Sequence, residues 1–150
     1  MSDHFLVFAY GSNLNKKQML RRCPSARFVA RAALAEHALV FAGFSERWRG
    51  AVASLDERSG AQVFGVVYAL EPLDLARLDG FEGCPNAYVR KTALATSRRG
   101  TRLRVQAYVQ PEPHLQLAGP SNLYFNTIWR AYERLGFDPR PLFTAVRNLA

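Results

Sequence analysis

The sequence predicts an α+β fold, a small mixed β-barrel with helices packed outside, and two observations carry this prediction. First, segments rich in β-branched and aromatic residues fill most of the first two-thirds of the chain, and the helical segments among them are short. Second, strands do not alternate regularly with long helices, which argues against a doubly wound parallel sheet. A strongly curved sheet that closes on itself, with helices outside, fits this order better.

Length and composition indicate a single domain over residues 1–150. The chain is 49% apolar and 21% charged, as in ordinary globular proteins. A domain of this size buries about two-thirds of its unfolded surface without disulfides. Its two cysteines, Cys23 and Cys84, have no metal-ligand spacing. We find no signal peptide and no apolar stretch near the ~20 residues that cross a bilayer. We therefore expect a soluble, cytoplasmic protein without metal or membrane partner.

The formal net charge of +8 allows nucleic acid or acidic metabolites as partners. The basic residues concentrate in two regions, but neither is a compact run and aromatic residues are sparse among them. We interpret the charge as a solubility feature and do not expect a nucleic-acid partner. The two regions comprise Lys16, Lys17, Arg21, Arg22, Arg27 and Arg31, and then Arg90, Lys91, Arg98, Arg99, Arg102 and Arg104.

The N-terminal elements begin with a strand. Residues 5–10 are apolar at every position, which is typical of a strand buried on both faces. Residues 11–13 interrupt it. Asn13 or Asn15 is expected to cap a short helix that ends at Cys23-Pro24.

The next part of the chain predicts two strands, over residues 26–34 and 37–44, with a turn near residues 35–36. After a polar loop, a short strand over residues 51–55 is expected. The charge and glycine of residues 56–60 predict a turn.

The strongest strand prediction covers residues 62–70, where β-branched and aromatic side chains dominate. Pro72 then suits the first turn of a short helix through Asp79. Residues 88–96 and 101–109 predict a hairpin, whose second arm alternates between a buried and a wet face.

The C-terminal part predicts two helices after a proline-rich loop. Ser121 is placed to cap the first helix, and Gly136 to end it. The second is expected to follow Asp138-Pro139.

The segment Tyr10-Gly11-Ser12-Asn13-Leu14 is the first candidate site. Between a buried strand and a helix, successive backbone N–H groups are free and point one way. Such a nest suits a carboxylate, a phosphate or a developing oxyanion. A plain strand-to-helix turn with a cap remains open on these grounds.

Glu82, within residues 78–88, is the second candidate. Apolar flanks would desolvate its carboxylate and raise its pKa toward the range of a general base. An exposed loop glutamate is about equally expected, and Asp79 is a nearby competitor. Tyr88 and Tyr108 could each direct a hydroxyl into a cavity from the hairpin.

Together these motifs resemble the γ-glutamylcyclotransferase family. A strand ending in Tyr-Gly-Ser-Asn-Leu is followed later by Leu-Asp-x-x-Glu-Gly-x-x-x-x-Tyr, here residues 78–88. Three further segments agree, at residues 48–55, 63–70 and 119–137, the last carrying Pro-Ser-x-x-Tyr at the start of a helix.

The resemblance implies a small mixed barrel and an enzyme that converts a γ-glutamyl amide or γ-glutamyl-amino acid into 5-oxoproline and a free amine. Glu82 matches the family's catalytic glutamate, and Tyr88 matches a cavity tyrosine. The matching substrate-binding loop consists of Tyr10, Gly11, Ser12, Asn13 and Leu14.

In this chemistry Glu82 would take a proton from the substrate's α-amine, and the N–H groups of residues 11–14 would hold the oxyanion. The ring closure needs no metal, cofactor or covalent nucleophile. The alternative is a non-catalytic binding module of the same fold for an anionic ligand or RNA. We expect a monomer or homodimer.

Overall fold

The computed structural model describes residues 4–147 and 149, and its strands form one closed barrel. Within that part of the chain the strands are β1 (Phe5–Ala9), β2 (Arg27–Ser45), β3 (Gly50–Leu70), β4 (Val89–Ser97) and β5 (Arg102–Val109). Their order around the barrel is β1-β3-β2-β4-β5. β1 runs parallel to β5 and the other neighbours are antiparallel, so the predicted mixed barrel is confirmed.

The helices lie along the outside of the barrel or cover its ends. They are α1 (Lys16–Arg22), α2 (Pro72–Phe81), α3 (Asn122–Leu135) and α4 (Arg140–Arg147). The predicted helix boundaries are confirmed at several points. Asn15 caps α1, Pro72 opens α2, Ser121 caps α3, and Gly136 ends α3 with φ 71°. No helix in the described residues is long and apolar enough to span a membrane.

Two expected turns, at residues 35–36 and 56–60, are wrong. β2 and β3 each run through these positions without interruption. Glu36 adopts φ 62° within β2, and the pairing register shifts there, so that β3 carries extra residues as a bulge. Gly60 takes a positive φ of 80° inside that bulge. The charged and glycine-rich sequence therefore bends a long hairpin and does not end it.

The core fills the barrel and extends beneath α3, which contributes Ile128 and Tyr132 to it. Phe8 of β1 and Phe41 of β2 are among its largest fully buried side chains. The segments that follow β1, follow α2 and precede β4 line one cleft, and the candidate site lies there.

Candidate active site

Two connected spaces lie at this position. The larger is a cleft of about 480 Å³, and the smaller, called the inner cavity because buried residues of β1 line it, measures about 50 Å³. Four residues line both spaces and so mark their junction, namely Ser12, Glu82, Tyr88 and Tyr124. A group that reacts at the junction can therefore have one part in the inner cavity and the rest in the cleft.

The loop after β1 forms a single 3-10 turn over Ser12–Leu14. The N–H of Leu14 donates to the carbonyl of Gly11 at 3.0 Å, so it is already used within the turn. The N–H groups of residues 11–13 precede that first bond and have no partner inside the turn. The side chain of Leu14 lies in the core. The N–H of Ser12 bonds the hydroxyl oxygen of Tyr124, so the available backbone donors are those of Gly11 and Asn13, fewer than the sequence predicted.

Gly11 lies where the backbone passes close to α3. A Cβ atom built on it would lie 3.1 Å from the hydroxyl of Tyr124 and 3.2 Å from Cβ of Ala53. Both contacts are tighter than ordinary packing, so a side chain here would displace the Tyr124 hydroxyl. Because glycine has no Cβ, the loop can pass this close to Tyr124, one of the junction residues.

The side chains of Ser12 and Asn13 are held by α1. Gln18 Nε2 donates to Ser12 Oγ at 2.8 Å and to Asn13 Oδ1 at 3.0 Å. Arg22 Nη1 donates to the same Asn13 oxygen at 3.2 Å. Because Gln18 and Arg22 are four residues apart, they share one face of the helix. With its oxygen engaged twice, the Asn13 amide turns its NH₂ group to Glu82 Oε1, at 3.1 Å.

Glu82 follows the last residue of α2 and its side chain is only 16% exposed. Burial raises the pKa of its carboxyl group, while Arg22, with Nη1 3.9 Å from Oε1, and the Asn13 hydrogen bond act in the opposite direction. Burial is the larger effect, so the pKa is raised overall. A carboxylate with a raised pKa is a stronger base, as general catalysis near neutral pH requires. The alternative of an exposed loop glutamate does not describe this side chain.

Three tyrosines surround the junction. Tyr88 donates its hydroxyl proton to the carbonyl of Ala53 at 2.7 Å, and Tyr124 accepts from the N–H of Ala53 at 2.9 Å. Tyr10 donates to the carbonyl of Tyr108. Burial raises the pKa of all three hydroxyls, so they remain protonated at physiological pH.

Alternation along residues 101–109 predicts Tyr108 on the wet face of β5, and this prediction is wrong. The residue is buried, and its hydroxyl donates to Asp79 Oδ1, which also forms an ion pair with Arg90, with Nε 3.2 Å away. The last turn of α2 covers this part of the strand and supplies the polar partner. Asp79 therefore ties α2 to the hairpin, and it lies outside the described linings of both spaces.

Comparison with known proteins identifies this arrangement. A model of the family described as gamma-glutamyl cyclotransferase, AIG2-like, matches residues 7–129. The chain belongs to this family.

Its relatives include the gamma-glutamylcyclotransferase of Mus musculus, which is 34% identical over 131 residues, covering 84% of this chain and 69% of the mouse protein. The Homo sapiens gamma-glutamylcyclotransferase is 32% identical over 127 residues, covering 81% of this chain and 66% of the human protein. The chain thus spans about two-thirds of the length of these relatives.

A solved structure of a gamma-glutamyl cyclotransferase has a TM-score of 0.83 to this chain at 29% identity, and the match covers 88% of this chain and 80% of that one. The likeness at this level of identity agrees with the closed barrel described above.

The γ-glutamylcyclotransferase motifs of the sequence meet around one space. Glu82, Tyr88 and residues 10–13 line the inner cavity, whereas Leu14 does not. Sequence analysis missed Gln18 and Arg22, although their spacing after the Asn15 cap places them on one helix face. It also gave Tyr124 no role in the site. The Pro-Ser-x-x-Tyr motif marks that residue, but its hydrogen bonds with β3 became visible only in the structure.

Proposed function

We propose that this chain is a γ-glutamylcyclotransferase that converts a γ-glutamyl amide or γ-glutamyl-amino acid into 5-oxoproline and a free amine. The observation that carries the proposal is a largely buried Glu82 on the same small cavity as the backbone donors of Gly11 and Asn13. Membership of the family and the shared name of its mouse and human relatives support it.

Glu82 acts first as a base and then as an acid. It takes a proton from the substrate's α-ammonium group, and the freed amine attacks the substrate's own γ-carbonyl carbon. A new C–N bond closes the five-membered ring. The bond to the leaving nitrogen then breaks as Glu82 gives that nitrogen this proton. The ring nitrogen loses its second proton to Glu82, which passes it to the released amine, so the amine leaves as an ammonium ion and Glu82 is ionised again. Because the attack is intramolecular, a site that holds the glutamyl chain folded supplies much of the acceleration.

The tetrahedral intermediate needs donors for its oxyanion, and the N–H groups of Gly11 and Asn13 are placed to supply them. Loss of one such donor costs about 3–4 kcal/mol in comparable sites. Tyr124 adds a further donor. Its oxygen accepts from Ala53 N–H and also interacts with the Ser12 backbone, so both lone pairs are engaged and its proton is left for a substrate oxygen.

Arg22 explains how the glutamyl head is oriented. The α-carbon of the substrate carries an ammonium and a carboxylate side by side. Glu82 and Arg22 present the opposite charges side by side, 3.9 Å apart, and both line the cleft. We assign Arg22 to the α-carboxylate and Glu82 to the α-ammonium.

The proposal also includes a single domain over residues 1–150, a cytoplasmic location, and a monomer or homodimer without nucleic-acid partner. The non-catalytic module for an anionic ligand or RNA is not favoured, since the mouse and human relatives are named gamma-glutamylcyclotransferases.

The decisive variant is Glu82→Gln, whose side chain is nearly isosteric but cannot accept the proton. With γ-glutamyl-alanine as substrate and chromatographic detection of 5-oxoproline, we expect turnover to fall by about 10²–10⁴-fold. Glu71→Gln is the matched control, because this exposed glutamate lies at the other end of α2 and should keep full activity. Wild-type turnover by a folded Glu82→Gln protein would remove Glu82 from the mechanism.

A further inference from the structure

We propose that Arg47 is a specificity-determining residue of this site and binds the carboxylate of a leaving amino acid. This inference rests on the proposed function and assigns the leaving-group half of the same site. It follows from the shape of the two spaces, the charges that line the cleft, and the contacts of the turn between β2 and β3.

The leaving group has to lie in the cleft. Glu82 and the backbone donors meet at the junction, so the scissile amide is placed there, and the glutamyl α-carbon lies beside Arg22 at the same end of the cleft. The inner cavity, at about 50 Å³, has no room for an amino acid, whereas the cleft measures about 480 Å³. The residues lining the cleft beyond the junction therefore contact whatever amine is released.

Three of the residues that line the cleft carry a charge, and they are Glu82, Arg22 and Arg47. Arg22 is engaged at the inner end, where it bonds Asn13 and faces Glu82. Among the described residues, no ion pair involves Arg47. The cleft therefore offers one cation that is not already paired with an acidic group of the chain.

The turn that carries Arg47 is held in place by its own hydrogen bonds. Ser45 Oγ accepts from the N–H of Trp48 at 3.2 Å, and Ser45 O accepts from the N–H of Arg49 at 2.7 Å. The guanidinium of Arg47 lies 5.5 Å from the centre of the Trp48 ring, within the range of a cation–π contact. The Trp48 ring packs edge-on to that of Tyr124, with centroids 5.0 Å apart. The Arg47 guanidinium therefore packs on the same side of the cleft as Tyr124, one of the four junction residues.

The chemistry of the leaving group matches this position. In a γ-glutamyl-amino acid the free carboxylate is two bonds from the scissile nitrogen, so it enters the cleft directly beside the junction. A guanidinium binds such a carboxylate through paired N–H donors. A leaving amine without a carboxylate cannot form this ion pair, so the Arg47 guanidinium stays hydrated.

The test compares γ-glutamyl-alanine with γ-glutamyl-alaninamide, which differ only in a carboxylate replaced by a carboxamide. We expect wild-type kcat/KM to be roughly five- to tenfold higher for the acid, as for a partly exposed charged contact. In Arg47→Gln this advantage should disappear, mainly through a higher KM for the acid, with less than about a twofold change for the amide.

Arg49→Asn is the matched control. It removes a positive charge from the same turn at an exposed residue outside the described lining of the cleft, and asparagine tolerates the φ of 62° found there. This variant should keep the wild-type preference for the acid.

Equal rates for acid and amide in the wild-type enzyme, or an equal loss of both in Arg47→Gln, would overturn the role of Arg47 and leave the cyclotransferase proposal standing. If the wild-type protein released no 5-oxoproline from either compound, the proposed function and this inference would fail together.

Discussion

Replacing Tyr124 by phenylalanine should lower both thermal stability and turnover, because its hydroxyl links a core strand to the site. The N–H of the buried Ala53 donates to this oxygen at 2.9 Å, and the substitution leaves that donor without an acceptor. An unsatisfied buried donor costs about 1–3 kcal/mol. In a domain of this size each kcal/mol lowers Tm by roughly 2–4 °C, so a loss of about 2 kcal/mol corresponds to roughly 4–8 °C. The ring contacts with Trp48 and Phe41 remain, which confines the effect to the oxygen.

Tyr132, on the same helix α3, provides a control in which loss of the hydroxyl should not destabilise the protein. The hydroxyl of Tyr132 is buried without a hydrogen-bond partner in the part of the chain that the structure describes. Tyr132→Phe removes this unsatisfied group, so its Tm should be unchanged or raised. Calorimetry on the two variants, together with the 5-oxoproline assay, should show loss of stability and about a 10- to 100-fold loss of kcat/KM only in Tyr124→Phe. Identical Tm values for the two variants would refute the role assigned to the Tyr124 oxygen.

Two more predictions concern the neighbours of these groups. Gly11→Ala should lower kcat/KM by about tenfold and stability by about 1 kcal/mol, because the added Cβ displaces the Tyr124 hydroxyl; a fully active variant would show that the approach is not needed. Arg22→Gln removes the charge that lowers the pKa of Glu82, so the acidic limb of kcat/KM should move to higher pH. Arg21→Gln, at an exposed neighbour, should leave that limb in place, and a shift common to both variants would contradict the pairing.

Local chemistry explains most of what could be predicted about the fold. Asn15, Pro72 and Gly136 mark helix ends through their own side chains or backbone, and these predictions needed no knowledge of distant residues. The turns expected at residues 35–36 and 56–60 failed for a non-local reason. The residues around the segments hold them within the strands, since Ala35 pairs with Gln62 and His37 with Glu57, and Glu36 absorbs the mismatch by a positive φ that glutamate rarely adopts.

In the candidate site, too, some residues could be predicted from the local sequence and others could be found only in the structure. Glu82 and the loop at residues 10–13 stand out in the sequence because their neighbours are unusual. Arg47 does not, since an exposed arginine in a polar turn has no distinguishing pattern, and only the cleft gives it a role. Tyr108 shows the limit of strand alternation, because a helix far along the chain brings Asp79 over the face that alternation assigned to solvent.

In the proposed mechanism, helix α1 acts on the Glu82 carboxylate through Gln18 and Arg22. A carboxylate buried without partners would stay protonated and could not accept a proton, whereas one paired closely with a cation would be too weak a base. Gln18 and Arg22 avoid both extremes by holding the Asn13 oxygen, which leaves the amide NH₂ for Glu82 and keeps the guanidinium 3.9 Å from the carboxylate. If the side-chain amide of Asn13 were flipped by 180°, its oxygen would face the Glu82 carboxyl group and oppose ionisation of that group. The basicity of Glu82 therefore depends on two side chains, one helical turn apart, that need not touch the reacting atoms.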